Sequence, residues 1–196
     1  MGQPLDMNTD SYFAIPRRVF LDTSVVNLAL DYGGQIHNGE EIPEGIPRRV
    51  REDIDALIGI FATGQRAFWQ MAISPQTYRE VTNTSDPRRL YHLEGWFAEL
   101  WHYWREIVRV MDNLPTFIEA EEARIGLLAS GLLDILPDLE DRVLVCDAVV
   151  YRCDAFCTRD WHTILKHRKA LTGLPLRVLT PREWWEEIKP WGAIWL

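Results

Sequence analysis

Four short apolar segments, each followed by residues that favour a helix, most limit how this chain can fold. The segments are 19–21, 67–73, 155–158 and 176–179. Each has the length of a buried strand, and the intervening residues carry helical spacing. Strands that alternate with helices form parallel sheets, because the chain must cross back before the next strand begins. The sequence therefore predicts an α/β fold with a small central parallel sheet flanked by helices.

Local signals mark where several helices begin and end. Ser74 and Thr180 each precede a proline, which predicts an N-cap followed by proline at the first helical position. Apolar residues at helical spacing predict a helix over 51–63, which we expect Gly64 to end. The glycine- and proline-rich segment 31–50 is typical of a loop.

Residues 84–136 interrupt the alternation, because they carry helical patterns alone. A nearly seven-residue apolar repeat predicts a long helix over 87–111, and Pro115 is expected to open another helix that reaches the Gly131 region. We interpret 84–136 as an all-helical insertion in a single domain spanning 1–196. A chain of this length can bury a sizeable core.

Composition excludes several classes of protein. Of the 196 residues, 47% are apolar and 11% aromatic, which can offset chain entropy and excludes general disorder. No apolar run approaches the roughly 18 residues of a membrane span, and residues 1–10 lack the apolar core of a secretory signal. A net charge of -8 argues against broad coating of nucleic acid.

The cysteines indicate the redox compartment. Cys146, Cys153 and Cys157 have no metal-finger spacing and lie in apolar sequence. We therefore expect buried free thiols in a reducing environment, which predicts a cytoplasmic protein.

Four carboxylates lie where a parallel sheet places its sites, beyond the carboxyl ends of strands. Asp22 closes the first strand, Glu80 lies on the helix after the second, and Asp160 follows the third by two residues. Asp141 falls in the first turn of the helix predicted over 138–152. We expect the four to share one cleft.

Each carboxylate also has a purely structural interpretation. Asp22 and Asp160 can cap the helices that follow them, and Asp141 can interact with first-turn amides. Glu80 can be a solvated helix residue. No single one of these signals is specific, so the order and spacing of the four decide between the interpretations.

Four motifs carry a resemblance to a known family. They are FLDTSVV at 20–26, ISPQTYREV at 73–81, CDAFCTRD at 153–160 and VLTPREWW at 178–185. In this order they resemble the PIN-domain ribonucleases, a family that includes VapC-type toxins. The resemblance covers 18–82 and 138–190, and the chain departs from it at Asp147 and Cys153, where the family usually has small residues.

The resemblance implies a metal-dependent endoribonuclease that hydrolyses RNA phosphodiester bonds, with Asp22, Glu80, Asp141 and Asp160 as catalytic and metal-binding residues. Clustered carboxylate oxygens are the ligands that Mg²⁺ or Mn²⁺ prefers. We assign Asp22, Asp141 and Asp160 to direct metal contact, and Glu80 to a second ion or a bound water. Which acid holds which ion stays open.

Two hydroxyls are candidates for orienting these acids. Ser24 and Thr158 stand close in sequence to Asp22 and Asp160, and hydroxyls behind a metal ligand fix its direction. Ordinary cap or strand hydroxyls are an equal interpretation.

A dense basic run begins beside Asp160 and forms part of a helix predicted over 161–170. Its candidates for contact with an RNA backbone are Arg159, His162, Lys166 and Arg168. A solvated helix face is the alternative.

We expect Asp147 and most of the tryptophans to lie outside the four-carboxylate cleft. Asp147 lies six residues after Asp141, a rotation of about 240° on a helix, so we expect it off that face, at the surface or a pocket edge. The nine tryptophans, among them Trp104, Trp184 and Trp195, predict core packing or a protein interface, and base stacking on RNA is the alternative.

Other functions stay open at this point. A catalytically inactive PIN-fold module that binds RNA or protein is the main alternative. An aspartate-nucleophile phosphatase is disfavoured, because Ser24 stands where that family has a second aspartate. The resemblance to VapC-type toxins also implies a cognate antitoxin as a partner. We further expect a homo-oligomer and no association with a membrane.

Overall fold

Within residues 12–67 and 69–194, the part of the chain that the computed structural model describes, four parallel strands form one sheet. They are β1 (Arg18–Leu21), β2 (Gln70–Ala72), β3 (Ala155–Cys157) and β4 (Arg177–Leu179), in the order β2-β1-β3-β4. The predicted α/β architecture with a small parallel sheet is confirmed.

The strand register sets which residues meet beyond the sheet. Leu21 pairs with Cys157, and Cys157 pairs with Leu179. The next residues continue this alignment, because the amide of Asp22 donates to the carbonyl of Cys157 at 3.0 Å. Likewise the amide of Thr158 donates to the carbonyl of Leu179 at 2.9 Å. Asp22 and Thr158 therefore follow adjacent strands at the same, carboxyl-terminal end of the sheet.

Helices occupy most of the remaining described chain. They are α1 (Thr23–Asp31), α2 (Gly33–Asn38), α3 (Arg48–Ala67), α4 (Pro75–Thr82), α5 (Pro87–His92), α6 (Ala98–His102), α7 (Arg109–Met111), α8 (Phe117–Ala129), α9 (Leu139–Val150), α10 (Ile164–His167) and α11 (Pro181–Ile188). None of these helices is long and apolar enough to cross a membrane.

Two helices begin as their capping residues predict. The hydroxyl of Ser74 accepts the amide of Thr77 at 2.9 Å, and Pro75 is the first residue of α4. Thr180 and Glu183 form a reciprocal capping box at the start of α11, with the Thr180 amide donating to the Glu183 carboxylate at 2.9 Å. These caps supply partners for amides that a helix start leaves free.

The segment 31–50 differs from its predicted loop, because α2 lies inside it. Gly33 and Gly34 serve close packing in this helix. A Cβ on Gly33 would lie 2.5 Å from the His92 ring, and one on Gly34 would lie 2.3 Å from the Glu40 carboxylate. The glycines that suggested a loop therefore let neighbouring side chains approach the helix backbone.

The helix predicted over 51–63 runs further in both directions, as α3. It continues past Gly64, where a Cβ would make ordinary contact with Trp69 at 3.5 Å, so nothing at that position requires the helix to end. The strand predicted over 67–73 is correspondingly reduced to β2. Phe68, within that prediction, lies outside the described residues.

The segment predicted as an insertion is helical. Residues 87–111 form a nearly continuous helical run, in which π-helical turns at Leu93–Phe97 and Tyr103–Val108 join α5, α6 and α7. Gly95 has a non-helical backbone and kinks the run. Its buried tryptophan, Trp104, packs edge-on against Tyr151 with ring centroids 5.3 Å apart.

Aromatic packing explains much of the tryptophan content. Trp104 and Trp184 are fully buried, as the core interpretation predicts. Trp101 stacks on both Tyr78 and Phe117, with centroid distances of 4.7 and 5.7 Å. These rings contribute large apolar area at the junction between 84–136 and the rest of the protein. Trp195 lies outside the described residues.

Asp147 is buried, which corrects the expectation of a surface or pocket-edge position. It is 1% exposed and accepts from Arg124 of α8 at 2.8 Å. Burial raises the pKa of Asp147 to about 6, although the Arg124 guanidinium opposes the rise. The rotation from Asp141 does point it away from the site, but that face is covered by α8, so the pair joins α8 to α9.

The three cysteines are buried and free, as predicted. Burial raises the pKa of the Cys146 thiol to about 12, and it raises the pKa values of Cys153 and Cys157 as well. Thiols of this kind stay protonated and pack as small apolar groups.

Candidate functional site

Asp22 lies at the carboxyl end of β1 and begins α1. It stands in the N-cap position, yet its side chain makes no capping hydrogen bond. The capping interpretation of its carboxylate is therefore wrong. The side chain instead faces the residues that follow β3 and is 5% exposed.

Two hydroxyls hold the Asp22 carboxylate. Ser24 Oγ and Thr158 Oγ1 both donate to Asp22 Oδ2, at 2.5 and 2.6 Å. Backbone amides fix these hydroxyls in turn, since Arg159 N donates to Ser24 Oγ and Asp160 N donates to Thr158 Oγ1, each at 3.0 Å. Both hydroxyls singled out from sequence thus touch Asp22.

The pKa of Asp22 lies above its ordinary value. Burial is the main cause, and the nearby charge of Asp160 adds to it. The hydrogen bonds from Ser24 and Thr158 oppose the rise without cancelling it. Two hydroxyls and the backbone amide of Thr23, instead of a cationic partner, therefore stabilise an ionised Asp22.

Asp160 caps the turn that follows it, as one of its interpretations foresaw. Its Oδ1 accepts the amides of His162 and Thr163 at 2.7 and 2.9 Å, and its Oδ2 accepts the Thr163 hydroxyl. Burial by itself would raise the pKa of Asp160, but these hydrogen bonds outweigh it and place the pKa below its ordinary value. Asp160 is therefore the readily ionised member of the cluster.

Asp141, in the first turn of α9, completes the cluster of three. Burial is the main cause that raises the pKa of Asp141 to about 6; a hydrogen bond from Thr163 opposes the rise, and the charges of Asp160 and Asp22 contribute to it. Its Oδ2 is buried and has no hydrogen-bond partner within the described residues. A buried carboxylate oxygen without a partner costs free energy, and a bound cation is one group that would satisfy it.

Glu80 lies next to this cluster without forming part of it. Its Oε2 accepts from Thr23 Oγ1 at 2.8 Å, and its Oε1 accepts from Gln76 at 2.9 Å. Thr23 directly follows Asp22, so one residue separates Glu80 from the cluster along this path. Glu80 is exposed, as expected of a helix surface residue.

The carboxylates do not form a ready metal-ligand set. Across residues 12–67 and 69–194, no three His, Cys, Asp or Glu side chains are placed to hold an ion together. Two features nevertheless suit a hard divalent cation. The charge of Asp160 raises the pKa values of both Asp22 and Asp141, and Asp141 Oδ2 has no partner within the described residues.

The basic residues divide into two groups. Arg159 donates to the buried Asp53 at 2.8 Å, and Arg168 forms an ion pair with Glu183 at 2.7 Å. His162 and Lys166 are exposed. The helix predicted over 161–170 is also shorter, because α10 begins at Ile164 and a 3-10 turn, Arg168–Leu171, follows it.

Thr163 and Asp53 were missed by the sequence analysis. Thr163 stands three residues after Asp160, a spacing at which a hydroxyl reaches back to a capping carboxylate, so it could have been found. Asp53 lies on an amphipathic helix among other charged residues and is 4% exposed. Its partner Arg159 is distant in sequence, so no local pattern marks it.

A cavity of about 700 Å³ lies elsewhere, along β4 and the segment 168–176. Asp154 and Arg177 line it, but Asp22, Asp141 and Asp160 do not. The cavity lies beside β4, the last strand of the sheet, and it is not part of the carboxylate site.

Comparison of the chain with protein-family models, with curated proteins and with solved structures gives no match in any of the three.

Proposed function

We propose that this protein is a metal-dependent endoribonuclease of PIN-domain type, which hydrolyses phosphodiester bonds in RNA. One observation carries the proposal: Asp22, Asp141 and Asp160 converge beyond the carboxyl ends of β1 and β3, and the buried Asp141 Oδ2 has no partner in the described residues. These acids lie far apart in sequence, and they meet at the carboxyl ends of the strands, where open parallel sheets form their sites. The order of the four motifs supports the same function.

Asp22, Asp141 and Asp160 would hold Mg²⁺ or Mn²⁺, with Glu80 beside them through Thr23. A bound divalent ion lowers the pKa of a water ligand and stabilises charge that develops on the phosphate. The chain contributes orientation, because Ser24 and Thr158 fix the Asp22 carboxylate from behind. It also contributes a cluster of negative charge that favours binding of a cation over an empty state.

Cleavage of a labelled single-stranded RNA in Mn²⁺ tests the proposal. We expect Asp22→Asn and Asp141→Asn to reduce the rate by at least about 100-fold, because each removes a charged ligand of the ion. Asp55→Asn is the matched control, since Asp55 is an exposed aspartate on α3. Circular dichroism checks that each variant folds.

Two results would overturn the assignment. If wild-type protein leaves RNA intact in both Mn²⁺ and Mg²⁺, it is not a ribonuclease under these conditions and the proposal fails. If Asp22→Asn and Asp141→Asn both cleave RNA at the full rate, these two residues are not part of the catalytic site.

An inactive RNA-binding module is the second candidate. The capping hydrogen bonds of Asp160 favour it, because both carboxylate oxygens already have partners and the acids form no ready ligand set in the described residues. RNA binding that persists in EDTA, without any cleavage in Mn²⁺, would support this candidate.

The resemblance to toxins supports a further part of the proposal, namely a cognate antitoxin. Expression in a bacterial host should then arrest growth in wild-type form and not as Asp141→Asn. Harmless expression of intact wild-type protein would count against the toxin role.

A further inference from the structure

An arginine and a tryptophan stack on each other beside the carboxylates. The guanidinium carbon of Arg49 lies 4.2 Å from the centroid of the Trp161 ring. Trp161 directly follows Asp160, and its side chain is 41% exposed. Arg49 is exposed and is the second residue of α3. The two residues come from distant parts of the chain and form a surface at the rim of the acidic cluster.

Hydrogen bonds of the neighbouring residues fix the position of this pair. Asp53 lies one helical turn after Arg49 and accepts from Arg159 at 2.8 Å, which joins α3 to the residues after β3. On the other side, the amide of His162 donates to Asp160 Oδ1 at 2.7 Å. Trp161 is therefore held between two anchored residues, so its ring does not depend on Arg49 alone for its position.

The pair keeps binding capacity free. Within the described residues, the Arg49 guanidinium forms no ion pair with a carboxylate within 4 Å, in contrast to Arg159 and Arg168, although its charge acts on Asp53. Stacking uses the face of a guanidinium and leaves the N–H groups at its edge available for a phosphate. Trp161 likewise retains exposed ring surface. A cation and an aromatic face together suit one nucleotide unit, with its phosphate and its base.

We propose that Arg49 and Trp161 form a binding site for an unpaired nucleotide, in which Trp161 stacks on the base and Arg49 contacts the phosphate. This inference rests on the proposed function and names residues outside the acidic cluster that would bind the RNA strand. A base inside a duplex already stacks on its neighbours and cannot lie against Trp161, whereas a single strand offers its bases freely.

Base stacking favours RNA over an acidic protein segment at this surface, because both ligands are anionic and only RNA offers a base to the Trp161 ring. The protein carries a net charge of -8, and the adjacent cluster contributes Asp22, Asp141 and Asp160. An acidic peptide would bring carboxylates close to these acids without a base to stack. A nucleotide instead places one phosphate at Arg49, while Trp161 supplies uncharged contact.

Binding of a fluorescein-labelled single-stranded RNA oligonucleotide of mixed sequence, measured by anisotropy in EDTA, tests the site without hydrolysis. We expect Trp161→Ala and Arg49→Ala each to weaken binding about tenfold. Trp161→Phe should retain most of the affinity, because it keeps an aromatic face. A blunt duplex of the same sequence should bind weakly and equally to all of these proteins.

Matched controls lie outside this surface. Arg105→Ala removes an exposed arginine that also lies over a tryptophan, Trp101, at 6.0 Å. Tyr91→Ala removes another exposed ring. Both should bind the single strand as wild type does. Equal affinity of Trp161→Ala and wild type, or no single-strand binding by wild type, would overturn the inference.

Failure of this inference and failure of the proposed function give different results. Cleavage in Mn²⁺ with an unchanged KM in both Trp161→Ala and Arg49→Ala would reject the nucleotide site and leave the nuclease. Trp161-dependent binding without any cleavage would reject the nuclease and leave the nucleotide site. If both hold, KM should rise in these variants while kcat changes little.

Discussion

Two pairs of acids show two ways in which this protein accommodates a carboxylate at a buried or half-buried position: Asp53 and Asp147 form one pair, and Asp22 and the half-buried Asp141 form the other. Asp53 pairs with Arg159 and Asp147 pairs with Arg124, both at 2.8 Å. Asp22 and Asp141 lie against other acids and hydroxyls. Burial raises the pKa of all four carboxyls, but only the first pair has a cation that opposes the rise.

The difference separates structural acids from functional ones. The ion pair of Asp53 with Arg159 joins α3 to the residues after β3, and the ion pair of Asp147 with Arg124 joins α9 to α8. Removing such a partner leaves a buried charge, so these pairs belong to the stability of the fold. Asp22 and Asp141 have no cationic partner, so their ionised forms reduce stability. Groups of this kind are common at binding and catalytic sites.

The largest effect is expected from Arg124→Leu, which leaves Asp147 buried and unpaired. We expect a loss of about 3–5 kcal/mol in the free energy of unfolding at pH 8, measured by urea denaturation. The loss should shrink as the pH falls from 8 towards 4. Asp147 already has a raised pKa of about 6 in the folded protein, and it becomes neutral in this range instead of remaining an unpaired charge.

The double variant Arg124→Leu with Asp147→Leu supplies the control. It removes both charges, so it should recover most of the lost stability and show little of the pH dependence. Unchanged stability of Arg124→Leu at pH 8 would contradict a structural role for the pair.

A smaller effect of opposite sign is expected from Asp141→Asn. The folded pKa of Asp141 is about 6 and its ordinary value is 3.8, so the ionised carboxyl destabilises the fold fully above about pH 7. This cost disappears as the pH falls through 6 towards 3.8. Asp141→Asn should therefore be more stable than wild type by about 1 kcal/mol at pH 8, with the difference closing near pH 4.

Thermal melting of Asp141→Asn and Asp55→Asn across this pH range measures the difference. Asp55 is exposed, so its variant should follow wild type throughout. If Asp141→Asn is less stable than wild type at pH 8, the Asp141 carboxylate stabilises the fold. Asp141 would then be a structural acid and not a functional one.

The smallest effect is expected from an exposed pair. Arg105 and Glu106 are 47% and 45% exposed, so water screens their charges. Arg105→Ala should change the free energy of unfolding by less than about 0.5 kcal/mol in urea denaturation. A loss comparable to that of Arg124→Leu would mean that burial is not what separates the two pairs.

Much of the sheet and its edge follows from sequence. The apolar run before Asp22 and the run before Thr158 predict parallel strands, and parallel strands bring their carboxyl ends together. The caps at Ser74 and Thr180 are equally local, because proline and hydroxyl positions determine them within a few residues. Features that depend on neighbouring residues alone were therefore predictable.

Features that depend on packing between distant segments were not predictable. Gly33 suggested a loop, because nothing nearby in sequence shows that the His92 ring needs its space. The helical rotation placed Asp147 away from Asp141, yet it could not reveal that α8 brings Arg124 over it. The ion pair of Arg159 with Asp53 was equally hidden, because Asp53 lies far away in sequence on a helix with many charges.

Calorimetric titration of Mn²⁺ is the most direct test of the central claim that Asp22, Asp141 and Asp160 form a divalent-metal site. At pH 8 wild type should bind Mn²⁺, Asp141→Asn should lose this binding while remaining folded, and Asp55→Asn should bind as wild type does. Equal binding by wild type and Asp141→Asn, or no binding by wild type, would contradict the account.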